Sequence, residues 1–128
     1  MNQKDYERYK QEVLSKVRIR PIEGAVRPSG KESKEHFLKK AELVWSFNNA
    51  NLENLPLYLQ EHFVGEDLRN VAAFCEVRFS EKVIADVLVI LRGKTVVIEV
   101  LESEKDTDSS IKRKQRAYMG MGFDFAVY

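Results

Sequence analysis

Apolar positions in the first third of the chain recur at helical spacing. Tyr6, Tyr9, Val13, Leu14 and Val17 fall on one face of residues 4–18, with Lys, Arg and Glu between them, which predicts an amphipathic helix. Residues 18–30 carry two prolines and two glycines and read as a linker or irregular arm, so the first helix is an appendage docked on the core or on a second subunit. Ser33 can cap a second helix running to about Phe47, with Phe37, Ala41, Val44 and Trp45 as its buried stripe. Between Leu52 and Ala73 the pattern weakens, and a short helix over residues 56–63, stopped near Gly65, is the clearest element.

From Phe74 the period changes to two. Residues 74–79 place Cys75, Val77 and Phe79 on one face and Glu76 and Arg78 on the other. Residues 83–91 and 94–101 are rich in β-branched side chains and flank Arg92-Gly93, which predicts an antiparallel hairpin. A helix follows from about Ser109 to Met119, capped by Asp106, Thr107 or Asp108 and ended by Gly120 and Gly122, and residues 123–128 form a last apolar strand. The order is helix, three-stranded meander, helix, strand, an α/β (α+β) core.

The hairpin brings two acids together. With Arg92 and Gly93 as the loop, or with a four-residue loop from Leu91 to Lys94, Asp86 falls opposite Glu99; a three-residue loop without a bulge would send them to opposite faces. Directly opposed Cβ atoms sit roughly 4.5–5.5 Å apart. Two ionised carboxylates at that distance among Val and Ile repel each other and lose hydration. A divalent cation, Mg²⁺ or Mn²⁺, answers both problems, because these hard ions prefer oxygen ligands. A three-residue loop at Ser80-Glu81-Lys82 would pair Glu76 with Asp86 and add a third carboxylate, although a strand Glu more often pairs with a surface lysine.

Composition narrows the classes. The 128 residues suit one domain with a real core; 44% are hydrophobic and 32% charged, which excludes a wholly disordered chain. The net charge of +1 announces no global basic field, so a nucleic-acid site must be a local patch. One cysteine, Cys75, rules out a disulfide framework within the chain, and with His36 and His62 far apart it argues against a Cys/His zinc site. No run resembles a signal peptide or reaches the roughly 20 apolar residues needed to span a bilayer. An intracellular, cytoplasmic protein without a membrane partner is the expectation.

The order of these residues resembles the PD-(D/E)XK nuclease superfamily. Ala85-Asp86 stands where that family has Pro-Asp, and Ile98-Glu99-Val100-Leu101 where it has Glu-X-Lys. More narrowly the chain is similar to the nuclease-like domain of the competence protein CoiA family and related archaeal proteins. The matching positions are His36 with Lys40 on the first core helix, Glu76 and Asp86 on the first two strands, Glu99 with Ser103, and Lys114 with Tyr118. The resemblance covers residues 33–128. It implies a restriction-endonuclease-like αβββαβ core with a mixed central sheet flanked by helices at residues 31–128, and leaves the N-terminal helix and linker arm at 1–30 unexplained.

The resemblance further implies a metal-dependent nuclease hydrolysing phosphodiester bonds in DNA. Asp86, Glu99 and Lys114 would be catalytic, and Asp86, Glu99 and Glu76 would hold Mg²⁺ or Mn²⁺. His36, Lys40, Ser103, Lys112, Arg113 and Arg116 would meet nucleic acid, DNA in preference to RNA. One departure is plain: Leu101 occupies the place of the motif lysine. Lys114 lies on the apolar stripe between Ile111 and Tyr118, and either its ammonium reaches the acidic site as a substitute or its stem snorkels to water. Leu101 also keeps open a catalytically degenerate nuclease fold serving as a nucleic-acid-binding or protein-assembly module, and the amphipathic N-terminal helix keeps open, separately, a protein-interaction subunit that forms a homodimer through it.

Overall fold

β2 (Ile84–Ile90) and β3 (Thr95–Glu99) pair antiparallel across Arg92-Gly93. Leu91 N–H donates to Lys94 O at 2.8 Å, and Gly93 adopts φ 94°, a left-handed conformation open to a residue without Cβ. The ladder runs from Ile90↔Thr95 to Val87↔Ile98, so the next step along each strand is Asp86 and Glu99. β1 (Ala72–Arg78) joins β2 antiparallel with Val77 opposite Ala85, the register that the Ser80-Glu81-Lys82 loop predicts. β4 (Asp124–Val127) lies parallel to β3, giving the sheet order β1-β2-β3-β4.

This computed structural model describes residues 1–102 and 106–128. Among the described residues four α-helices accompany the mixed sheet: α1 (Gln3–Leu14), α2 (Lys34–Asn48), the short α3 (Leu57–Gln60), continued by a 3-10 turn at Glu61–Phe63, and α4 (Asp108–Gly120), the last forming the crossover between β3 and β4. Side-chain oxygens cap three of them: Asn2 at α1, Ser33 at α2 and Thr107 at α4, where Ser110 completes a capping box. Leu43, Val44 and Phe47 of α2, with Leu59 and Phe63, cover the sheet face that carries Ala73, Cys75, Val87, Val89, Val96 and Ile98. Tyr6, Val13 and Leu14 of α1, with Tyr118 of α4, cover the face that carries Ala72, Phe74, Leu88, Ile90 and Val97. The result is a three-layer α+β arrangement. No helix among the described residues is long and apolar enough to cross a membrane.

Three local expectations change. Cys75 and Val77 do not share a face: Glu76 takes φ 51°, the left-handed kink breaks the alternation, and the two residues pack into opposite cores. Helix α2 is rotated from its expected stripe, burying His36, Lys40, Leu43, Val44, Ser46 and Phe47 while Trp45 stays 49% exposed. Helix α1 ends at Leu14, short of the expected residue 18, and of the two dockings open to it the core is the one seen: the Tyr6 hydroxyl, fully buried, donates to Ile90 O at 2.6 Å and accepts Ala72 N–H at 2.8 Å.

Candidate functional site

The acidic pair sits where β2 and β3 part. Beyond Val87↔Ile98 the Asp86 side chain takes over from the ladder, its Oδ2 accepting the backbone N–H of Val100 at 2.8 Å. Asp86 faces an open cleft of about 320 Å³, whose wall also carries Glu32, His36, Glu102, Asp106 and Lys114. Glu99 lies behind Asp86, almost fully buried, and its Oε1 has no hydrogen-bond partner. It faces both the Asp86 carboxylate and the Tyr118 hydroxyl. Burial, and then the hydrogen bond and charge of Asp86, push the Glu99 carboxyl far above the usual carboxylate range; Lys114 and Tyr118 oppose this without cancelling it. Tyr118 is raised in turn, by its burial and by the charge of Glu99.

Helix α2 presents its polar residues to the same end of the sheet. His36 Nδ1 lies 2.6 Å from Glu32 Oε2, while Nε2 lies 3.1 Å from Val100 O and 3.4 Å from Asp86 Oδ2. Both ring nitrogens thus face acceptor oxygens. One turn further, Lys40 Nζ is fully buried and donates to Arg27 O at 2.8 Å and Glu76 Oε1 at 2.7 Å, with Glu32 Oε2 at 2.9 Å. An ammonium has three donors, and each one here faces an oxygen. Lys40 is held above the usual lysine range because Glu76 and Glu32 outweigh the burial that would lower it. Glu32 is held down to about 2, since hydrogen bonds from Lys40, His36 and the Ser29 N–H overcome its own burial.

The positions singled out in the sequence therefore divide. Asp86, His36 and Lys114 share the cleft, with Glu99 behind it. Lys114 Nζ lies 3.1 Å from Asp106 Oδ1, and it is raised because the charges of Glu99 and Asp106 outweigh its partial burial. Glu76 is engaged by Lys40 and does not line the cleft, so its carboxylate is used as a buried counter-ion. Lys40, expected to meet nucleic acid, has its ammonium enclosed instead. Lys112, Arg113 and Arg116 are exposed on α4, without an ion-pair partner among the described residues. Ser103 lies outside the described residues.

Glu32 was missed, although its spacing with His36 and Lys40 runs i, i+4, i+8. Its position before the cap Ser33 hid that relation. Asp106, expected only as a helix cap, accepts the Glu102 N–H at 2.7 Å and holds Lys114.

Among the described residues no three His, Cys, Asp or Glu side chains form a ready cage for a metal. Mg²⁺ asks for less, binding through one or two carboxylates and completing its shell with water and substrate phosphate. Glu99, with one buried oxygen unpartnered, and the adjacent Asp86 carboxylate are the two donors that would serve such an ion. Comparison with protein-family models, curated proteins and solved structures finds no match for this chain.

Proposed function

We propose that this chain is a metal-dependent nuclease-like protein with a restriction-endonuclease-like core, hydrolysing phosphodiester bonds in DNA. The observation that carries this reading is the meeting of Asp86 and Glu99 at the parting ends of two adjacent strands, with Lys114 in the same cleft. Mg²⁺ or Mn²⁺ held by the two carboxylates would bring positive charge to a phosphate oxygen. Asp86 supplies the cleft-facing donor, and its orientation is set by the Val100 N–H and His36. Lys114, anchored by Asp106, stands in for the cation that Leu101 lacks and holds charge against the phosphate. Glu32, His36 and Lys40 form a buried rod that fixes α2 against this end of the sheet.

A second reading keeps the fold and loses the reaction. Leu101 at the motif-lysine position and Glu99 recessed behind the cleft wall favour a nucleic-acid-binding or assembly module. The two readings part in one assay, incubation of single-stranded, duplex and branched DNA with the protein in Mg²⁺ or Mn²⁺. A nuclease cuts at least one substrate, and Asp86→Asn and Glu99→Gln abolish the cleavage while remaining folded. Cleavage by either variant at the parental rate rejects the assignment, and DNA affinity that persists in chelator without any cleavage selects the binding module.

A further inference from the structure

A second depression lies on the other side of Lys114. It has a volume of about 440 Å³ and is lined by Lys82, Val83, Arg113, Lys114, Ala117 and Tyr118. Val83 leads into β2, and the other wall is the α4 face that carries Ala117. Tyr118 is 2% exposed, so its ring shapes the floor from below while Val83 and Ala117 form the surface a ligand meets. Lys82 and Arg113 are exposed on the rim and have no ion-pair partner among the described residues. An apolar floor under three cations is a poor surface to leave to water, and a volume in this range accommodates a small organic group.

Lys114 lines both this groove and the cleft of Asp86. Val83 is three residues from Asp86 along the strand, roughly 10 Å. A ligand continuous between the two sites therefore carries phosphate at one end and an apolar surface at the other.

We propose that the groove receives an unpaired base of single-stranded DNA, with Val83 and Ala117 against the base and Lys82 and Arg113 on the flanking phosphates. This rests on the nuclease-like reading for the neighbouring phosphate and adds the substrate class, single strand over duplex. In a duplex the bases are stacked and paired, so the rim would bind backbone while the apolar floor stayed uncovered. An unpaired base offers its open face to that floor, and apolar contact of this kind is non-directional and works for any sequence. Charge favours the same occupant, since a polyanion complements Lys82 and Arg113 on the rim while an apolar protein segment leaves both uncompensated.

The test is fluorescence anisotropy with a labelled single-stranded oligonucleotide and the matching duplex, in Ca²⁺ and in chelator, on the whole chain. The single strand is expected to bind at least about tenfold more tightly than the duplex. Ala117→Gln, which puts a neutral polar side chain on the apolar floor at an exposed helix position, is expected to weaken single-strand binding about tenfold, to change duplex binding less than twofold, and to leave the melting temperature in place. Arg113→Glu checks the rim and reduces the salt dependence of single-strand binding. Equal affinity for the two DNA forms, or equal weakening of both by Ala117→Gln, overturns the proposal. So does a concentration-dependent rise in molecular mass that Ala117→Gln removes, which would give the groove to a second copy of the chain. Anisotropy needs no cleavage, so the groove is judged independently of the nuclease reading. Absence of cleavage with intact single-strand preference would reject the reaction alone.

Discussion

Asp86 Oδ2 accepts the Val100 N–H at 2.8 Å, so one side chain serves both as the cleft-facing acid and as the ladder acceptor for the end of β3. The two roles separate by substitution. Asp86→Asn keeps an acceptor for Val100 and removes the charge, whereas Asp86→Ala strands a buried N–H at a cost of about 1–3 kcal/mol. Chemical denaturation is expected to rank the parent and the Asn variant close together and the Ala variant below them. Equal stability of the Ala and Asn variants would remove the structural role from Asp86.

The hairpin was legible because its signals are local. Gly93 accepts the turn, β-branched residues fill both strands, and counting from the turn placed Asp86 beside Glu99. For Glu76 a lysine partner was expected, but nothing in Cys75-Glu76-Val77 announces the left-handed backbone or that the lysine is the buried Lys40 and not a surface one. The face of α2 failed for a related reason. Its inward positions hold His36 and Lys40, polar side chains that enter the core because they find Glu32, Glu76 and Val100 there, while Trp45 stays outside. Hydrophobic periodicity sees side-chain type and is blind to such pairing across elements.

Lys40 tests that pairing directly. Lys40→Met removes a fully buried cation and leaves the Glu32 and Glu76 carboxylates, 6% and 16% exposed, without it. Breaking one partner of a buried ion pair costs roughly 3–5 kcal/mol. Adding Glu76→Gln to Lys40→Met is expected to recover part of that loss in a double-mutant cycle. Simple additivity of the two substitutions would show that Lys40 and Glu76 do not depend on each other.

Glu32 and Glu99 give stability opposite dependences on pH. Glu32 falls from 4.5 to about 2 on folding, because hydrogen bonds from Lys40 and His36 outweigh its burial. Its contribution is therefore present above its unfolded value and is lost as pH drops from 4.5 toward about 2. Glu99 is raised by burial and by Asp86, so its contribution is present below its unfolded value and is lost as pH rises through its folded range. In metal-free buffer, thermal melts of Glu99→Gln are expected to exceed the parent at neutral pH and to lie on a flatter curve between about pH 5 and 8. Melts of Glu32→Gln are expected to fall below the parent there and to lose its acid limb. A Glu99→Gln curve with the parent's slope would mean that the buried acid does not carry the strain.

Tyr6 ties the N-terminal helix to the sheet at a point where two strands are already paired. Its hydroxyl bridges Ile90 O at 2.6 Å and Ala72 N–H at 2.8 Å, and Ala72 and Ile90 are themselves register partners in β1 and β2. The side chain works as an inserted link of the ladder, and the ring fills the layer between α1 and the sheet. Tyr6→Phe keeps the ring and leaves one donor and one acceptor buried without a partner, for a loss of about 1–3 kcal/mol. Deleting residues 1–20 removes Tyr6, Val13 and Leu14 and uncovers Phe74, Leu88 and Ile90 beneath them. Truncation is therefore expected to unfold or aggregate the chain, read by circular dichroism and light scattering. A truncated protein that stays folded, with only its mass halved, would make α1 a dimerisation arm and end its assignment to the core.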